Sequence, residues 1–102
     1  MDTLLILKAL SNDHRLNILE WLKDPDGNFE PQTSLPEDTT FKGICVASIC
    51  KKSGLAQSVI SGYLVQLQNA GLLESERIGK WTYYRRNEKN IQAFKEMIGK
   101  NL

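Results

Sequence analysis

Residues 46–71 read VASICKKSGLAQSVISGYLVQLQNAG, and the fold turns on how this stretch is read. Its spacing predicts two helices, over 46–53 and 57–70, joined at Gly54. Ile60, Leu64 and Leu67 recur at i, i+4 and i+7, which gives the second helix one apolar stripe to bury. Gly71 ends it, because glycine adopts the left-handed conformation of a helix terminus without steric cost. A helix-turn-helix asks for a small residue where its helices cross, glycine at the turn, and apolar residues on either side. Ile49, Cys50, Gly54, Leu55 and Ile60 fill those places, with Cys50 as the small residue. The second helix then opens with Gln57, Ser58 and Ser61, polar side chains of the kind that reach base edges and phosphates in a major groove. Any helical hairpin can carry a glycine between its helices, so the flanking segments have to be weighed.

Downstream, 72–78 (LLESERI) and 81–86 (WTYYRR) read as strands joined at Gly79-Lys80. Arg77, Lys80, Arg85 and Arg86 flank that turn, with Trp81, Tyr83 and Tyr84 interleaved. The aromatics are expected mostly in the core. The basic tip is expected to clamp a DNA backbone or enter the minor groove. Asn87 caps a last helix whose apolar positions are Ile91, Phe94 and Met97/Ile98. Upstream, TLLILKAL (3–10) and LNILEWL (16–22) predict helices near 2–10 and 13–22. Leu16, Leu19 and Leu22 share a face beside Ile18, and Ser11-Asn12-Asp13 supplies capping side chains. Residues 24–40 (DPDGNFEPQTSLPEDTT) follow neither period and hold all three prolines and five acids but no base. They read as an acidic loop insertion, 24–43 overall, with room for a short ordered piece. The expectation is one domain over 1–102, mainly α with a small β-hairpin, in the order α-α-α-α-β-β-α of a winged helix-turn-helix.

Charge supports that reading. The net charge is only +1, but it is unevenly spread. Residues 1–41 set Lys8, Arg15 and Lys23 against eight acids. Residues 42–86 set Lys42, Lys51, Lys52, Arg77, Lys80, Arg85 and Arg86 against only Glu74 and Glu76. The basic side chains are thus gathered where a phosphate-binding surface needs them. The candidate DNA-contacting residues are Lys51, Lys52, Gln57, Ser58, Ser61, Tyr63, Arg77, Lys80 and Arg85.

From VASICKKSG through the basic hairpin to Asn87, the chain resembles the DNA-binding part of the ArsR/SmtB family of bacterial repressors. LKALSNDHRLNILEWL resembles that family's opening helices. The resemblance spans most of the chain outside 24–43. It implies a homodimer formed by the first and last helices, a palindromic double-stranded DNA operator, a recognition helix near 57–70, and ligand-controlled repression. Tyr63 stands where the family often has histidine, and a phenol can still donate to a phosphate. The family's metal sites do not carry over. Its Cys-x-Cys site matches Cys45, Val46 and Ala47, so one thiol remains where a thiophilic metal wants two or three. Its last-helix site needs Asp and His, and residues 87–102 have neither.

No metal and no cofactor are therefore expected, and Cys45 is left as a candidate thiol sensor. A regulator responding through Cys45, and a winged helix that binds protein instead of DNA, are the alternatives. No Cys–His pair, glycine-rich phosphate loop or paired carboxylates point to an enzyme. No apolar run is long enough for a membrane span. Two cysteines five apart make no disulfide framework, and no export signal is visible, so a reducing cytoplasm is expected.

Overall fold

Four of the helices begin on a side chain that satisfies an otherwise open amide, among them the short one at 25–28, which Asp24 caps. In the computed structural model, which describes residues 2–102, Asp2 caps α1 (Thr3–Leu10) and Asn12 caps α2 (Asp13–Lys23). Asn87 caps α6 (Glu88–Asn101), its side chain accepting from the Asn90 amide at 3.0 Å. Between them lie α3 (Pro25–Asn28), β1 (Ile44–Cys45), α4 (Val46–Ser53), α5 (Gln57–Asn69), β2 (Leu73–Ile78) and β3 (Trp81–Arg86). The winged helix-turn-helix is present, with two additions to the expected order. One is α3, the ordered piece in the insertion. The other is β1, whose two residues are too few to show a strand period.

α4 and α5 cross with Ile49, Ile60, Leu64 and Leu67 fully buried between them and α1 and α2. Gly54 sits between the helices at φ +73°, where a Cβ would meet nothing within 4 Å. Only backbone strain therefore opposes a side chain there, of about 1–2 kcal/mol. Gly54→Ala is expected to lower the melting temperature by roughly 4–8 °C per kcal/mol lost in a domain of this size. An unchanged thermal melt would contradict the left-handed turn.

α2 is rotated from its expected face. Ile18, Leu19 and Leu22 are buried, but Leu16 is exposed. The inward place one turn before Leu19 is held by Arg15, whose guanidinium donates to the Ala9 and Lys8 carbonyls at 2.7 and 3.1 Å. That pair of bonds closes the α1–α2 corner.

The sheet runs β1-β3-β2, all antiparallel, with Ile44 opposite Tyr84, Cys45 opposite Tyr83, and Ile78 opposite Trp81 beside the turn. Tyr84 points into the helical core. Tyr83, one residue earlier, points the other way and is nonetheless fully buried. The insertion covers it. Phe41 is buried on that outer face, and a Cβ on Gly43 would come within 2.7 Å of the Phe41 ring and 3.0 Å of the Tyr84 carbonyl. Gln32 fastens the strap, accepting from the Cys45 amide at 2.9 Å and donating to the Ser48 hydroxyl at 3.1 Å. Gln32, Phe41 and Gly43 thus fasten the insertion to the sheet, while most of its other residues stay exposed. Among the described residues, no helix is long and apolar enough to cross a membrane.

Candidate nucleic-acid interface

The first half of α5 and the β2–β3 hairpin stand apart at their tips and leave an open groove. Gln57, Ser61, Arg77, Lys80, Trp81 and Thr82 line it. Ser58 is exposed on the adjoining first turn of α5. The N-cap residue of α5, Ala56, offers no side-chain cap. The first amides of the helix, the positive end of its dipole, are therefore open to a ligand. Arg77 and Lys80 are exposed, and among the described residues neither joins a salt bridge. Two free cations, a row of polar side chains and an open helix end face one concavity. That combination suits a polyanion with readable edges.

Four predicted residues, Gln57, Ser61, Arg77 and Lys80, meet in this groove, with Ser58 beside it. Four others lie elsewhere. Lys51 pairs with Glu30 of the insertion at 3.2 Å, both largely exposed. Lys52 lies 5.6 Å over the Trp21 ring, on the flank of α4 that faces α2 and α3. Tyr63 is on the flank of α5 turned to α2, stacked with His14 at 6.2 Å and under the Arg15 guanidinium at 5.3 Å. Arg85 bonds Glu74 at 2.6 Å and lies 4.0 Å over the Phe41 ring, so it clamps the insertion to the sheet. Arg86 is also spoken for, by Glu88 at 2.6 Å and the Leu19 carbonyl at 3.2 Å.

Trp81 corrects a sequence expectation. Placed with the core aromatics, it is 43% exposed at the groove rim. The signal was its position directly after the turn residues, where a hairpin has already left the core.

Cys45 is the N-cap residue of α4 and half-buried, its Sγ 3.3 Å from the Ser48 hydroxyl. Cys50 packs half-buried against the core, where burial, then the neighbouring Cys45, pushes its thiol pKa up and keeps it protonated. Neither is in a disulfide. Among the described residues, no group of three His, Cys, Asp or Glu side chains is arranged to hold a metal ion.

A second surface lies on the opposite side. α1 buries Ile6 and Ala9 and turns Leu4 and Leu7 outward, 68% and 44% exposed. α6 is anchored by Ile91 and Phe94. Its next turn leaves Met97 and Ile98 half-buried, with the Thr3 hydroxyl 3.9 Å from the Met97 sulfur. Both terminal helices thus leave apolar side chains that the protomer does not fully cover.

No family model matches the chain. It is 47% identical over 98 residues, 96% of each chain, to the uncharacterized HTH-type transcriptional regulator YbzH of Bacillus subtilis (strain 168). Among solved structures it is similar to the homodimeric winged helix-turn-helix DNA-binding domain Mb0332 of Mycobacterium bovis, described as a possible ArsR-family transcriptional regulator. That match has a TM-score of 0.65 at 26% identity and covers 91% of this chain and 71% of that one. The ArsR family transcriptional regulator RHA00566 superposes with a TM-score of 0.69 at 14% identity, covering 94% and 81%.

Proposed function

The chain belongs to the ArsR family of winged helix-turn-helix transcriptional regulators, and from that premise we propose that it is a dimeric repressor acting on a palindromic operator in the cytoplasm. The observation that carries this reading is the groove where α5 and the wing present Gln57, Ser61, Arg77 and Lys80 together. α5 lies in the major groove, with Gln57, Ser58 and Ser61 toward base edges. Arg77 and Lys80 hold the flanking backbone or minor groove. The apolar side chains that α1 and α6 leave uncovered join two copies, which sets two reading helices on half-sites about 34 Å apart. A gel-shift titration in rising salt tests it. Affinity for operator DNA should fall steeply, because each neutralised phosphate releases counterions. Binding that is indifferent to salt would count against the groove as the contact.

Control of this repressor does not run through the family's usual metal sites. Cys45 is the only thiol at the α4 entry, and Cys50 packs half-buried against the core. Zinc(II) or arsenite at micromolar concentration is expected to leave operator affinity unchanged. A tenfold or larger loss on adding either would overturn this part of the reading.

A further inference from the structure

α5 contains no charged residue from Gln57 to Asn69. For a helix set to enter a major groove this is a restriction on what it can read. Guanine is most often specified by a bidentate Arg or Lys on its O6 and N7, and α5 offers neither. What it does offer follows from its helical phase. Ile60, Leu64 and Leu67 form the buried stripe. Ser58, Gly62 and Val65 form the outward one at i, i+4 and i+7, with Val59 beside it.

Val59 and Val65 are 40% and 50% exposed. They are branched apolar side chains on a helix whose core is already made by other residues. Gly62 lies between them, and nothing comes within 4 Å of where its Cβ would stand. The middle of the outward face is therefore bare backbone, open to close approach, with an apolar knob on either side. Gln57 and Ser61, on the flank of α5 next to this face, share the groove with the free cations Arg77 and Lys80, so the helix is approached by a polyanion. On the floor of a DNA major groove the apolar group is the C5-methyl of thymine. Gln57, exposed at the first position of α5, carries the planar amide that matches adenine N6 and N7.

We infer that α5 selects A·T base pairs, with Val59 and Val65 packed on thymine methyl groups and Gln57 paired to adenine. The inference rests on the DNA-binding reading above and deepens it by naming the base class. Sequence preference comes from small apolar and amide contacts on α5, and charge is left to the wing.

The test uses a duplex recovered by the full-length protein from a random pool, with its thymines replaced in turn by deoxyuridine, which removes only the C5-methyl. Each contacted methyl is expected to cost about fourfold in affinity, the equivalent of one buried methyl group. Val59→Ala and Val65→Ala should each abolish the response at one thymine position and keep the wild-type melting temperature, since both side chains are exposed. Recovered half-sites specified by G·C pairs would overturn the inference and leave DNA binding intact. So would a wild-type protein that tolerates deoxyuridine throughout with less than a twofold change. Absence of binding to any duplex would overturn both this inference and the reading beneath it.

Discussion

Replacing Leu4 and Leu7 together with glutamate is expected to give a folded monomer whose operator affinity is lower by about two to four orders of magnitude, the range in which linking two binding units acts. The substituted side chains point out of the protomer, 68% and 44% exposed, while Ile6 and Ala9 on the other face of α1 keep it docked. Two carboxylates per protomer would have to be desolvated at the centre of the proposed interface. α6 makes the same point from the other side. Its fourteen residues bury only Ile91 on the protomer, a poor return for so long a helix unless a second copy supplies the rest. Sedimentation and gel shift together check the result. A double variant that remains a dimer and binds as the wild type would move the interface elsewhere.

Replacing Arg77 and Lys80 with alanine is the second large effect. A dimer loses four cations, so the slope of log affinity against log salt should become shallower by about three to four, at roughly 0.9 per phosphate contact. Lys51→Ala with Lys52→Ala removes as many charges from the dimer, but those two sit against Glu30 and Trp21. Their loss should change the slope by less than about one. The contrast separates position from net charge. Equal losses for the two pairs would show that only the overall basic balance matters, and the groove would lose its standing.

The helix-turn-helix was legible because its determinants are local. Gly54 is both a sequence mark and a left-handed residue, and the stripe of Ile60, Leu64 and Leu67 is both a period and a core. The same locality placed Gln57, Ser58 and Ser61 at the start of α5 and Arg77 and Lys80 at the wing tip. What was not legible depended on tertiary partners. Arg85 looks like a free wing cation until the sheet register sets Glu74 opposite it and the insertion lays Phe41 beneath it. Lys51 and Lys52 are turned toward residues of an aperiodic segment and of α2, which no spacing rule connects to α4. The insertion itself lacked a period because its order comes from outside: Gln32 bonds to the start of α4, and Phe41 lies over Tyr83. Tyr83 and Tyr84, adjacent and both buried, were the one trace of it in the strand. A half-covered sheet would have exposed one of them.

In the proposed dimer, two copies of α5, joined through the terminal helices, read double-stranded DNA with two-fold symmetry. Selection of bound duplexes from a random pool by the full-length protein, at about 0.1 M salt, tests it in one step. The expected product is an inverted repeat whose half-site centres lie about one helical turn apart. A pool that shows no enrichment, or that converges on a single asymmetric site, would contradict it.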